Sequence, residues 1–421
     1  MRNRRPGTMV ERRGQIVSGP SHIIYIAYLI AGPGFWLAAA ILMFSSVRRM
    51  SVIKNPTPPL PSPPPRATIL VPAKDEGARI NDCLRAALGQ DYPDFSVVAI
   101  DDRSSDQTGA VMDELAAADG RLHVVHIKPG ELPDGWTGKN HALHKGIGAA
   151  DGYWLLLVDS DVNIAPGALR TAIATAEAQR LGMLSLLLRL ETHTLAERMI
   201  LPLASATLAA VYTISLTNAE WSNVAFGNGQ FLLINRPTYD LVGGHQAVRE
   251  QYCEDIALAR LVKKIGGRPR VAFGTEQGAV RMYDSLPTIF RGFARIYFAA
   301  GFGSPVRALV AIAFILLTCF PVYIAGAWGL YRGIYPVPGS IDGHAWLHAA
   351  FVHFVVMSTL IALMYRSVRN SAWFALLFPV AGSCVVYILA RAAWMCVTRR
   401  IEWRGTVYTH TIGSAAVRTG P

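Results

Sequence analysis

YWLLLVDSD, residues Tyr153–Asp161, is a short unbroken apolar run that ends in two carboxylates flanking a serine. The run is too short for a helix that buries itself, and its bulky side chains suit a central parallel strand, which predicts Asp159 and Asp161 at the strand's carboxyl end. Open α/β sheets place their ligands there. Two acids one residue apart, with a turn starting between them, reach one hard divalent cation together and leave coordination positions for a phosphate-bearing substrate. The structural alternative is that Asp161 caps the turn before Pro166, a proline suited to the first position of a helix, and that Asp159 is merely solvated.

Composition bounds the regions around this strand. With 421 residues, 52% of them hydrophobic, and a mean hydropathy of +0.29, the chain is too apolar for an ordinary soluble domain, so membrane segments are expected. The net charge of +11 does not indicate nucleic acid: the arginines gather beside apolar spans and no base-reading module is present. An anionic membrane surface is the better partner. Cys83, Cys253, Cys319, Cys384 and Cys396 show no paired short spacing, which fits a reducing compartment and unpaired, mostly buried thiols.

Residues 1–21 carry arginines at 2, 4, 5, 12 and 13 without apolar periodicity and are expected to form a disordered basic arm. Residues 22–47 are almost wholly apolar and long enough to cross a bilayer, although Gly32-Pro33-Gly34 at the middle allows either a kinked span or a hairpin. The apolar stretch is too long for a signal peptide, and no small-residue cleavage site precedes Arg48-Arg49. Residues 48–65, with PTPPLPSPPP at Pro56–Pro65, are expected to be a stiff linker that lifts the adjoining domain off the membrane.

From Arg66 the pattern alternates strand, acidic turn and helix. Strands are predicted at Ala67–Ala73, Phe95–Ile100, Leu122–Ile127 and Tyr153–Val158, with helices after Gly77, at Val111–Ala118 and at His141–Ala150. Such repetition predicts a mainly parallel sheet with its polar residues along one rim. Glu76 and Asp102 are acids at the ends of the first two strands, placed to read a base and ribose, with Asp75 and Asp106 as candidate helix caps. Asp134-Gly135-Trp136-Thr137-Gly138-Lys139 offers glycines for close backbone approach and a lysine at a helix start, a plausible diphosphate contact without the Walker spacing.

VPAKDE at 71–76, DDRSSD at 101–106, GWTGK at 135–139, DSD at 159–161, GNGQF at 227–231 and Glu254-Asp255 resemble, in order and approximate spacing, the inverting family 2 glycosyltransferases of the GT-A fold. With RMY at 281–283 and EWRGTVY at 402–408, the chain is most similar to the membrane-anchored lipid glycosyltransferases of that family, the ceramide-glucosyltransferase-like, hopanoid-associated and carotenoid-pathway enzymes. The resemblance covers residues 66–300 well and the tail loosely.

The resemblance implies a nucleotide-sugar donor, UDP-linked, with Glu76 and Asp102 on the uridine moiety, and Asp159 and Asp161 on the donor diphosphate and its Mg²⁺ or Mn²⁺, Asp161 the more direct ligand. It implies substrate-binding roles for Ala73, Lys139, Gly229, Gln230 and Glu254, and a general-base role for Asp255. A base is needed because an alcohol is a poor nucleophile at neutral pH. The competing reading of Glu254-Asp255 is a pair of acids that starts the helix Ile256–Ile265. The Q/R-x-x-R-W motif of processive synthases is reduced to Arg291-Gly292-Phe293-Ala294-Arg295-Ile296, and the missing tryptophan argues against a growing glycan. Arg291 and Arg295 are four apart and share a helix face, toward the diphosphate or toward lipid headgroups.

Met199–Leu216 is apolar and almost uncharged but lies inside the catalytic unit, where a crossing would split one site between two sides of a bilayer. It is expected to be buried or to lie in the membrane interface, with Leu208–Tyr212 toward a lipid acceptor. Three more apolar spans lie at Val306–Tyr331, Trp346–Tyr365 and Ala372–Val397. Arg366 and Arg369 place their loop in the cytosol, whereas counting spans leaves the tail outside although Arg399, Arg400 and Arg404 favour the cytosol; Pro379 and Gly382 allow the last span to re-enter. His344, His348 and His353 read as structural or interfacial.

The expected fold is α/β: a GT-A domain over 66–303, with helices on both faces of a mainly parallel sheet, transmembrane helices over 304–397 and a tail over 398–421. The expected function is sugar transfer to a lipid hydroxyl at the cytosolic face of the plasma or inner membrane. A processive polysaccharide synthase and a catalytically silent lipid-binding scaffold are the alternatives; the acids at 102, 159, 161 and 255 count against the second.

Overall fold

Apolar runs bounded by acidic or glycine-rich turns build ten strands between residues 67 and 280. They are β1 (Ala67–Ala73), β2 (Phe95–Asp102), β3 (Leu122–Ile127), β4 (Trp154–Leu157), β5 (Val162–Ile164), β6 (Met183–Leu187), β7 (Arg189–Leu190), β8 (Leu232–Asn235), β9 (Pro269–Phe273) and β10 (Gly278–Val280). Seven of them form one sheet in the order β3-β2-β1-β4-β8-β6-β9. β1 pairs in parallel with β2 and β4, β2 with β3, and β6 with β9. β8 runs antiparallel to both β4 and β6. A mainly parallel sheet needs cover on both faces, and successive side chains of each strand go to opposite sides. Ile69, Val97 and Leu156 accordingly pack with Leu84 and Ile173 on one face, while Leu70, Val98 and Leu155 pack with Leu143 and Leu258 on the other. Each such side chain, fully buried, contributes ~2 kcal/mol of transfer free energy. This is a GT-A-like α/β fold.

The description comes from a computed structural model and covers residues 20–47, 52–53, 58–211, 214–302, 304–398, 400–403, 406–411 and 414–418. Most of the basic arm expected over 1–21, the Arg48-Arg49 pair, residues 54–57 of the linker, Tyr212, Arg399 and Arg404 lie outside the described residues. The chain divides into two compact units, Met1–Ile41 with Phe314–Leu360, and Leu42–Ala313 with Ile361–Pro421.

In the larger unit a small sheet, β5-β10-β7, adjoins the DSD turn, so β5 starts one residue beyond Asp161. The linker is not a free spacer along its whole length: Ile53 donates its N–H to Phe273 O at 3.1 Å, and Pro65 O accepts from the Tyr92 hydroxyl at 2.6 Å. Met199–Leu216 falls on the helices Leu195–Val211 and Ile214–Asn218. The first of these packs against the helices Leu286–Ile296 and Phe378–Thr398. Tyr297 and Tyr365 donate their hydroxyls to its Ala204 and Met199 carbonyls at 2.9 and 2.5 Å. Ile200, Leu201 and Ala204 are buried, while the turn from Ser205 to Ala209 is half-buried to exposed.

Among the described residues, four helices are long and apolar enough to cross a membrane: Pro20–Met43, Pro305–Ile334, Gly343–Ser367 and Ala372–Thr398. The hairpin and re-entrant alternatives for the first and last find no chain reversal. Ile30–Gly34 is one wide helical turn between Pro20–Leu29 and Phe35–Val47, and Pro379 lies in the opening turn of Phe378–Thr398, where a proline leaves the helix intact. The break occurs instead between Pro305–Thr318 and Pro321–Ile334. The carbonyl freed at Thr318 accepts from Trp36 Nε1 at 2.8 Å and from His353 Nε2 at 2.9 Å. His353 Nδ1 must then be the acceptor, and Tyr28 donates its hydroxyl to it at 3.2 Å. His353 is thus structural within the smaller unit. A Cβ at Gly32 would stand 2.7 Å from His353 Nδ1, which is why a glycine occupies that turn.

Candidate active site

The carboxyl rim of the sheet collects the predicted acids because β1, β2 and β4 are parallel and end at one edge. β4 closes at Leu157, and Asp159 and Asp161 lie in the turn that leads to β5. Lys139, at the start of the helix Gly138–Gly148, places its ammonium 2.6 Å from Asp159 Oδ1 and 2.7 Å from Glu254 Oε1. Burial alone would lower its pKa; Asp159, Glu254 and Asp255 outweigh that and hold it well above the usual lysine range. The helix start is fixed by Thr137, whose hydroxyl accepts from Asn140 N.

Asp255 is the second residue of the helix Glu254–Lys264. Its carboxylate accepts from its neighbour Ile256 N at 2.7 Å and from Gly229 N at 2.8 Å, the latter across 26 residues of chain. Burial, then the charge of Glu254, push its pKa up to about 7 against the opposing pull of Lys139 and the two N–H groups. A carboxylate poised near neutral pH is suited to taking a proton from an alcohol. The GNGQF loop is glycine-rich because of this crowding: a Cβ at Gly229 would lie 2.9 Å from Lys139 Nζ, and one at Gly227 would lie 2.6 Å from Asp255 O. Gln230 is buried, its N–H donating to Asn228 Oδ1 and its own oxygen accepting from Asn228 Nδ2.

Asp161 has a different environment. Burial first, then Asp159 and Glu76, raise its pKa to about 7. Asp161 thus feels the charges of Asp159 and Glu76, with Lys139 the counter-charge beside Asp159. Among the described residues no group of three or more His, Cys, Asp or Glu side chains converges to hold an ion. Asp159 and Asp161 fit a hard divalent cation as a partial ligand set that a diphosphate and water would complete.

Asp102 is buried and gripped by Arg103, whose Nε and Nη2 donate to it at 2.7 and 2.9 Å. Arg103 reaches back because its backbone is left-handed, φ 58°, a conformation that costs an arginine ~1 kcal/mol. A Cβ at Gly138 would meet the same carboxylate at 2.7 Å. Ala73 closes β1 in register with Asp101. Asp106 is a turn cap, accepting from Gly77 N and Thr108 N.

One cleft thus brings together Lys139, Asp159, Gly229, Glu254 and Asp255, roofed by Pro72, Leu143 and Leu258; Asp161 and Glu76 are coupled to it electrostatically. Arg291 is exposed. Arg295 hydrogen-bonds Tyr283, and that phenol also feels the charge of Asp161. Sequence reasoning quoted Arg103 and Tyr283 within motifs but gave them no role, and it passed over Asn140. Gly292 was the available signal for Tyr283, since a Cβ there would fall 2.2 Å from the Tyr283 ring.

This fold, with its acids collected along the carboxyl rim of the sheet, is a GT-A-like transferase architecture. Residues 68–242 match Glycosyl transferase family 2, and this part of the chain is a family 2 glycosyltransferase domain. The chain is 31% identical over 169 residues to the succinoglycan biosynthesis protein ExoO of Rhizobium meliloti (strain 1021), covering 40% of this chain and 46% of that protein. It is 26% identical over 249 residues to the 4,4'-diaponeurosporenoate glycosyltransferase of Staphylococcus aureus (strain USA300), covering 58% of this chain and 64% of that one. The matches therefore span about half to two thirds of these relatives. Among solved structures it is similar to the mannosyltransferase PcManGT from Pyrobaculum calidifontis in complex with GDP-Man and Mn²⁺, at 19% identity and a TM-score of 0.48, covering 88% of this chain and 98% of that chain.

Proposed function

We propose that this protein transfers a sugar from a nucleotide-diphosphate donor, UDP-linked, to the hydroxyl of a lipid at the cytosolic face of the membrane, by a single displacement with inversion. The observation that carries the reading is Asp255: a half-buried carboxylate held by the Gly229 and Ile256 N–H groups in the same cleft as Asp159 and Lys139, where burial and Glu254 push its pKa up to about 7. Asp255 takes the proton of the acceptor hydroxyl while that oxygen bonds the anomeric carbon. The bond from that carbon to the diphosphate breaks, and the nucleoside diphosphate departs with the electron pair. Lys139, 2.6 Å from Asp159 Oδ1, would offset the developing charge. Mg²⁺ or Mn²⁺, held by Asp159 and Asp161, would supply Lewis-acid stabilisation of the leaving group. Glu76 and Asp102 would meet the uridine, Ala73 and Gln230 the donor, and Arg295 the diphosphate.

A lipid acceptor is supported by three features. Four helices among the described residues are long and apolar enough to cross a membrane. Leu208, on the half-buried end of the helix Leu195–Val211, packs with Val224, Phe226 and Ile296 against Ile256, the residue after Asp255. One relative is named a 4,4'-diaponeurosporenoate glycosyltransferase. The test is to incubate membranes carrying the protein with labelled UDP- and GDP-sugars and extract the lipids. Label in the lipid phase that depends on Asp255 supports the proposal; label only in water-soluble polymer refutes it.

A further inference from the structure

Asn140 takes no part in the chemistry of the cleft, yet it ties the two halves of that cleft together. It is completely buried, and its side-chain nitrogen lies 2.7, 3.1 and 2.9 Å from the carbonyl oxygens of Val248, Arg249 and Gln251. Those three acceptors fix the amide orientation, because the flipped form would set its oxygen against three oxygens. Thr137 N adds a fourth tie, donating to Arg249 O at 2.9 Å. The captured segment runs directly into Glu254 and Asp255, while the helix start that captures it carries Lys139 and abuts Asp102 at Gly138.

The ion pair of Lys139 with Glu254 also joins these halves, and Gly229 N holds Asp255 from a third element, the 227–231 loop. Both involve groups that a donor or acceptor must engage, so substrate competes with them. The Asn140 bonds are fully buried, and Asn140 is not among the residues that line the cleft. We propose that Asn140 is a positioning residue that holds the 248–255 segment, and with it Asp255, in register with the donor side of the cleft. The inference rests on the function proposed above. A misplacement of about 1 Å in a reacting group costs roughly 10²-fold in rate, and a clamp of this kind prevents it.

The test compares Asn140→Asp, which turns an oxygen toward the three carbonyls, and Asn140→Ser, which keeps one donor, with Ile147→Ala, a core change on the same helix away from the cleft. Two measurements are made on the detergent-solubilised full chain. The first is amide hydrogen exchange across 248–255 and, as a reference, across the helix Ile80–Leu88. The second is kcat and donor KM with UDP-glucose, UDP-N-acetylglucosamine and GDP-mannose against a membrane lipid extract. Asn140→Asp is expected to raise exchange across 248–255 about tenfold, leave the reference helix unchanged, and lower kcat roughly 10- to 100-fold with donor KM within about twofold; Asn140→Ser falls between. Unchanged exchange in Asn140→Asp overturns the clamp, as does an equal kcat loss in Ile147→Ala at a matched drop in Tm. Wild-type protein that turns over none of the donors refutes the proposed function instead, and the exchange experiment still decides the clamp.

Discussion

Asp255→Asn separates chemistry from helix capping. The carboxylate serves two N–H groups, Ile256 and Gly229, at 2.7 and 2.8 Å, and asparagine keeps one acceptor oxygen, so the loss on the capping side is one charge-assisted bond, roughly 1 kcal/mol. As a general base it carries far more: removal costs about 10²–10⁴ in kcat, or ~3–5 kcal/mol of barrier. The pH behaviour sharpens the difference. With a folded-state pKa of about 7, the base is protonated below neutrality, so wild-type kcat/KM should rise as pH increases through about 7 rather than through the usual carboxylate range. The stability linkage has the opposite sign: a raised carboxyl pKa favours the folded state at low pH, and that contribution is lost as pH rises from about 4 through 7. Asparagine has no such loss, so at pH 8 its Tm should match or exceed that of the wild type. The assay is steady-state turnover between about pH 5.5 and 9 beside thermal unfolding at the same pH values, a range of roughly 3.5 units bracketing the base. A variant with lowered Tm and kcat within tenfold of wild type would refute the base assignment.

Asp161→Asn should abolish turnover and remove cation-dependent donor binding, read by calorimetry with and without chelator; full activity in chelator contradicts the cation role. Lys139→Met leaves Asp159 and Glu254 unpaired, so it should cost roughly 3 kcal/mol in urea unfolding and move the acid limb of the pH profile upward, since Lys139 lowers the Asp255 pKa. An unmoved limb means that the ammonium does not act on the base. Ala209→Asp, at an exposed position beside Leu208, should raise KM for the lipid without changing nucleotide affinity; an unchanged lipid KM contradicts the access route. Gly32→Ala would drive a Cβ to 2.7 Å from His353 Nδ1 and should destabilise the detergent-solubilised protein by about 1–3 kcal/mol; a wild-type Tm would show that the ring simply moves aside.

The parallel half of the fold was legible because local pattern and tertiary role agree. The apolar run before DSD is β4, and Leu122–Ile127 is a strand over the range predicted for it. Asp101 and Asp102 proved to be in β2 rather than in its turn, since β3 pairs with them, a neighbour that local pattern does not report. β8 was not legible: Leu232–Asn235 is four residues whose antiparallel insertion between β4 and β6 is decided by long-range pairing. The acids of the site were readable as types at strand ends. Their pairing was not, because Lys139 lies 20 residues from Asp159 and 115 from Glu254, and no spacing rule connects them. No local pattern marks Asn140, because its three carbonyl acceptors exist only once the 248–251 segment has folded back on it.

The cleft of Lys139, Asp159 and Asp255, with Asp161 acting on it through its charge, is proposed to hold the donor in line with the base. The most direct measurement is an experimental structure of the Asp255→Asn variant with Mg²⁺ and the nucleotide sugar that the wild type turns over. The account predicts the cation about 2.1 Å from an Asp161 oxygen, the diphosphate beside Lys139, and the anomeric carbon facing residue 255 across a gap that one hydroxyl fills. A nucleotide bound elsewhere, or one whose sugar points away from residue 255, would contradict it.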